Sequence, residues 1–325
     1  MRPVIALSIF ALLTAGSAAA KVTRYLTGNA GDVVVALAGP AYDLGGGGPD
    51  VDAAIQWLID QVRGCTSCST KVDVVILRAT GSDGYNLPIF AMNGVDSVET
   101  LVITKRTDAD TAAVETTIQN AEVVFFAGGD QCTYVTLFKG TKVETAVEHV
   151  HGKGGGIGGT SAGEVIHSPY VYDACGGSAT SATALANPYD RAITFTYGFF
   201  AWPPLAGTLL DSHFVTRDRF GRLAAFLARQ IQDGVATTVL GVGIDEETSV
   251  VVDRTGFARV MGTGQAYFAL ADHAPETCAA RTPLTFRNLK IWKVGPGGTF
   301  DLANRPALGY TLRSVVNGAW DQSPY

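Results

Sequence analysis

Charge is scarce in this 325-residue chain: 17% of its residues are Asp, Glu, Lys or Arg, against 47% hydrophobic. A chain so apolar is not a disordered polyelectrolyte, and it is long enough to bury a large core. Its 24 basic and 30 acidic side chains leave a net charge of −6, which argues against a nucleic-acid partner. Long apolar runs are missing too. The one candidate, Val4 to Leu13, lies behind Arg2 and ahead of the small residues Ala18 and Ala20. It falls short of the roughly 20 residues that a spanning helix needs, so no stable membrane anchor is expected. The layout is that of a secretory signal cleaved near Ala20, which predicts an extracellular or periplasmic protein. Residues 21–325 would then form a single domain, and loss of Arg2 would take the charge from −6 to −7.

Signatures of nucleotide and metal binding are also lacking. The run "GGGGPD" from Gly45 has neither the G-x-G-x-x-G order nor the Lys-Ser or Lys-Thr ending of a phosphate loop, and reads as a plain loop. The "CTSC" pair at Cys65 and Cys68 is not repeated, so a four-ligand zinc set is absent and a local disulfide is the simpler reading. With five cysteines (Cys65, Cys68, Cys132, Cys175, Cys278), at least one has no intramolecular partner. Neither a metal nor an organic cofactor is expected.

What is present is alternation. "DVVVALAG" reads as a first buried strand, "VDAAIQWLIDQVRG" as a helix closed by Gly64, and "KVDVVILRA" as a second strand. "ETLVITK", "DTAAVETTIQNA" and "EVVFFAGG" continue the pattern as strand, helix and strand. This order predicts an α/β fold with a mostly parallel sheet flanked by helices and a site at the carboxyl edge of the strands. Near the C-terminus, "VLGVGIDEETSVVVD" and "FARVMGTGQAYFAL" read as an added strand pair.

Within "GGGIGGTSAGEVIH", residues 159–163 fit G-x-S-x-G, a sharp strand-to-helix turn that exposes its serine, Ser161. The pentapeptide alone is weak evidence in a chain with 38 glycines. A serine nucleophile needs a base, and there are five histidines to choose from. His149 and His151 lie two apart in a helical stretch and read as solvated surface. His167 should point away from the turn, and His273 sits in a loop with no obvious partner. His213, between an apolar strand and a helix in "GTLLDSHFVTRDRFGRL", is the best base. For the orienting acid, "GVGIDEETSVVV" offers Asp245, Glu246 and Glu247 in an apparent strand, where alternation sets Glu246 opposite the other two without telling which face meets His213.

The order serine, histidine, acid argues against the usual esterase reading of G-x-S-x-G, in which the acid precedes the histidine. Four blocks in sequence, "VVFFAGGDQ", "GGTSAGE", "DSHFVTRDRFGRL" and "GVGIDEETSVVV", resemble those of the cyanophycinase and dipeptidase E serine peptidases. The resemblance implies a fold similar to class I glutamine amidotransferases, with Ser161 as nucleophile, His213 as base, Glu246 as orienting acid and an oxyanion hole at the Gly129 and Ala162 amides. Within this family the chain looks most like the cyanophycinase branch, which releases β-aspartyl-arginine from an arginine-bearing polyaspartate. That likeness implies a substrate containing aspartate and arginine, bound by Gln131, Asp211, Ser212, Arg219 and Arg222, and a homodimer. Arg217 reads instead as part of a charged helix face. Two residues depart from the pattern: Ser212 stands where glutamine is usual, and Glu164 where a small residue is common. The competing readings are an esterase or amidase for small substrates, and an inactive secreted binding protein on the same scaffold.

Overall fold

The computed structural model describes residues 22–325; the expected signal segment, residues 1–20, lies outside them. The first half of the chain supplies strands β1 (Thr23–Gly28), β2 (Ala41–Gly45), β3 (Val72–Arg78), β4 (Val95–Val102), β5 (Val123–Phe126) and β6 (Gly156–Thr160). β4, β3, β5, β6 and β2 lie side by side in that order, all parallel. β1 closes one edge antiparallel to β4. A small pair, β7 (Tyr170–Tyr172) and β8 (Phe195–Tyr197), follows.

Alternation along β3 explains the layering. Val74 and Ile76 pack with Ile55, Leu58 and Ile59 of helix Asp52–Arg63, while Val75 and Leu77 pack with Val114, Ile118, Val143 and Val147 of two helices on the other face. Period-2 strands thereby meet period-3.6 helices on both sides, as parallel strands require.

The second half contributes β9 (Thr208–Asp211), β10 (Val239–Ile244), β11 (Thr248–Val252), β12 (Phe257–Gly262), β13 (Ala266–Ala271), β14 (Phe286–Val294), β15 (Thr299–Asp301), β16 (Thr311–Val316) and β17 (Ala319–Trp320). β11, β12 and β15 extend the first sheet beyond β2 to nine strands. β9, β10, β13, β14, β16 and β17 form a second, six-stranded sheet. Helix Phe220–Gln232 covers one face of that sheet through Leu223, Phe226 and Leu227, while Leu210, Leu240, Val242 and Phe268 on the other face join the core of the first sheet.

Three local expectations need correction. "DVVVALAG" forms no strand; the first central strand is "AYDLG", β2, which follows it after Pro40. The two C-terminal segments do not make one strand pair: β10 pairs with β13 in the second sheet, and β11 with β12 in the first. Asp245, Glu246 and Glu247 lie in the turn where the chain crosses from one sheet to the other, so strand alternation does not govern them.

Candidate active site

β2, β5 and β6 end together, with Gly45 opposite Thr160 and Phe126 opposite Gly159. Immediately after β6 the chain turns at Ser161, whose backbone takes φ 56° and ψ −118° and whose amide donates to the Gly45 carbonyl at 2.9 Å. A non-glycine residue holds that conformation only when its surroundings impose it. Two glycines make the turn possible. A Cβ on Gly159 would lie 2.3 Å from the Gly163 carbonyl oxygen, and one on Gly163 would lie 2.2 Å from that of Phe126. The helix after Ser161, Ala162–Val165, is a single turn.

His213 follows β9 on a loop that ties the sheets together: its amide donates to the Gly46 carbonyl at 2.7 Å, and the Phe214 amide to Ile244 at 3.1 Å. Its imidazole Nε2 is 2.6 Å from Ser161 Oγ, and its Nδ1 is 2.6 Å from Glu246 Oε1. With Nδ1–H donating to the carboxylate, Nε2 is left to accept the serine proton, the arrangement that an acyl-transfer relay requires. Burial lowers the His213 pKa more than its hydrogen bond to Glu246 raises it, and Arg217 and Arg219 lower it further. The hydrogen bond from His213 lowers the Glu246 pKa. Neutral imidazole beside carboxylate is thus the resting state near neutral pH.

Asp245 is buried. Its carboxylate accepts from the Val215 and Gln265 amides at 3.1 and 3.0 Å, pinning the loop after His213 to the start of β13. The glycine run after β2 also belongs to the site. A Cβ on Gly47, at φ +94°, would sit 2.4 Å from the His213 ring, and the Gly47 carbonyl accepts from the Glu247 amide at 2.9 Å. The sequence reading missed these glycines, although a glycine run directly after a strand end could have marked them.

Gly128 borders the serine, since a Cβ there would lie 3.7 Å from Ser161 Cβ. Beside it, the Gly129 amide, like that of Ala162, donates to no other backbone group among the described residues. An N–H without a backbone acceptor is what an oxyanion donor requires. Gln131 opens helix Gln131–Phe138, with its side-chain amide 3.5 Å from the Tyr172 carbonyl. Cys132 is bonded to Cys175, which clamps this helix to the loop after β7. Cys65 pairs with Cys68 as expected, and Cys278 is free and buried.

Asp211, Ser212, Arg219 and Arg222 lie together in a buried polar cluster. Asp211 takes both oxygens to Arg222, through Nε at 2.8 Å and through Nη2, and also meets Arg219 Nη1 at 3.3 Å. Arg219 Nη1 donates further to the Ser212 carbonyl at 2.7 Å. The Asp211 and Arg222 side chains are 1% and 2% exposed, whereas that of Arg219 is 11% exposed. Ser212 is buried as well. The structure thus sets Asp211, Ser212 and Arg222 behind Arg219 and away from the open surface. Arg217 precedes the helix starting at Phe220 and is not part of its face.

Of the other histidines, His149 is exposed as expected, but His151 is half-buried with Nε2 2.7 Å from the Tyr42 hydroxyl. His167 is fully buried between the Gly158 carbonyl and the Trp202 indole N–H, and burial pushes its pKa down to about 4. His273 has a partner after all in Asp272, at 2.9 Å.

The model of peptidase family S51 matches residues 88–186, a span that contains Ser161 and ends before His213. A cyanophycinase from Nostoc sp. is 29% identical over 230 residues, covering 69% of this chain and 72% of that protein. One from Synechococcus elongatus is 28% identical over 219 residues, covering 66% and 63%. A crystal structure of a peptidase from an acI-B1 Actinobacterium superposes with a TM-score of 0.55 at 15% identity, covering 81% of this chain and 97% of that one. That likeness is one of fold, a mixed α/β architecture with a mostly parallel sheet flanked by helices and extra strands.

Proposed function

We propose that this chain, whose residues 88–186 match the model of peptidase family S51, is an exported serine exopeptidase that hydrolyses cyanophycin or related β-aspartyl peptides to dipeptides. The observation that carries the mechanism is the pair of 2.6 Å contacts joining Ser161 to His213 and His213 to Glu246. Ser161 Oγ attacks the scissile carbonyl as His213 Nε2 takes its proton, while Glu246 holds the imidazole through Nδ1 and stabilises its charged form. The oxyanion forms against the Gly129 and Ala162 amides. His213 returns the proton to the leaving amine, then deprotonates the water that releases the acyl group.

The cyanophycinase relatives and the Arg219 guanidinium at the rim of the cluster support an acidic peptide as substrate, since a guanidinium pairs with carboxylates in bidentate fashion. Asp211, itself held by Arg222, meets the Arg219 guanidinium at 3.3 Å. Export is supported by the signal-like residues 1–20 and by two disulfides, which persist in oxidising compartments.

The test is turnover of an aspartyl peptide by the mature enzyme and by Ser161→Ala. The substitution is expected to lower kcat by about 10⁴-fold or more with substrate binding retained. Full residual activity in the variant would contradict the mechanism.

A further inference from the structure

Glu164 is an acidic residue beside the nucleophile that the mechanism leaves unused. It lies three residues after Ser161, in the single helical turn that the nucleophile begins, and is 0% exposed. Neither carboxyl oxygen has a hydrogen-bond partner among the described residues. The charged groups acting on it are Asp211 of β9, which disfavours its ionisation, and Arg219, which favours it. An ionised carboxylate without water, hydrogen bonds or a contacting cation costs far more than a neutral acid in the same place, so the buried group keeps its proton.

The consequence is a charge count. Asp211, Arg219 and Arg222 carry one negative and two positive charges, which leaves the cluster at +1 if Glu164 is neutral and at zero if it is ionised. Arg222 is matched to both oxygens of Asp211, so the unmatched charge falls on Arg219, the member of the cluster that reaches the surface. We propose that Glu164 is a positioning residue that stays protonated behind the nucleophile, and thereby keeps a net positive charge at Arg219 for a carboxylate of the substrate. This rests on the peptidase reading above, in which Arg219 takes a carboxylate, and adds to it the protonation state of Glu164 that keeps that charge available. It also gives a reason for an acid where a small residue is common: the carboxyl fills the space behind the elbow without adding charge.

Two measurements test it. Infrared spectra near neutral pH should show the carbonyl stretch of a protonated carboxylic acid that belongs to Glu164. The other strongly shifted buried acid, Asp43, has its pKa pushed up to about 7 and is distinguished by its own substitution. Glu164→Gln should remove this band; should that variant fail to fold, the band must survive in Asp43→Asn at the same pH. No band in the wild type, or a band lost in Asp43→Asn, overturns the proposal whether or not any peptide is cleaved. The second measurement compares KM for a β-aspartyl peptide with its α-carboxylate free and with that group amidated. Glu164→Gln, which reproduces a neutral acid, should leave the preference for the free carboxylate within about two-fold of wild type. A rise in that preference of about ten-fold or more would mean that a negative charge had been removed, and would overturn the proposal.

Discussion

Ser161 and His213 both sit at positive φ, 56° and 47°, in a region that β-carbon-bearing residues seldom occupy. Each is held there by a hydrogen bond from its own amide to the end of β2, at Gly45, or to the glycine that follows it, Gly46. Two expectations belong to this scale. Because burial lowers the His213 pKa, the neutral, proton-accepting form persists below the ordinary histidine range, so the acid limb of kcat/KM against pH should fall below about 6.5; a limb above that value would contradict the assignment. Glu246→Gln should cost about 10⁴-fold in kcat with little change in thermal stability, because the amide no longer fixes the Nδ1–H tautomer. Legibility at this scale followed chemistry. Ser161 stood out by its glycines, and His213 because few histidines compete with it. Glu246 could not be told from Asp245 or Glu247 without the family likeness, since the three lie in a turn, where the period-2 rule fails. What separates them is contact: Asp245 goes to backbone amides and Glu246 to the imidazole.

The element that the sequence reading misplaced is β2 with its glycine run. "DVVVALAG" has the β-branched content of a strand, yet "AYDLG" is the one inserted between β6 and β11. Its strand character comes from partners more than 100 residues away, which no local pattern contains. The glycines after it are constrained on both sides, by the His213 ring and by the Glu247 amide. Gly47→Ala should therefore lower kcat by about 10²-fold or more, because the Cβ displaces the imidazole from its productive position; unchanged kcat would remove the loop from the site. The Cys132–Cys175 bridge acts at the same scale, closing 43 residues between the helix after the Gly128–Gly129 loop and the strand pair β7–β8. Replacing both cysteines with serine should lower stability by about 2–4 kcal/mol, measurable by thermal or denaturant unfolding.

At the scale of the molecule, the candidate site lies on the seam between two sheets. Ser161 comes from the end of a strand in the first, His213 from the end of a strand in the second, and Glu246 from the segment that crosses between them. The βα alternation announced the first sheet and its carboxyl edge. The second sheet stayed hidden because consecutive strands β10, β11, β12 and β13 divide between the sheets, an arrangement set by core packing and not by the order of strands. A site assembled from both sheets depends on their docking, so moderate denaturant should abolish activity no later than it unfolds either sheet; activity that outlasts the loss of the second sheet's signal would contradict this. The most direct test of the function proposed is mass spectrometry of the products that the mature enzyme and Ser161→Ala release from cyanophycin and from α- and β-aspartyl dipeptides. β-Aspartyl-arginine is expected from the polymer with the wild type and none with the variant. No cleavage of any aspartyl peptide by the wild type, or equal cleavage by both proteins, would contradict it.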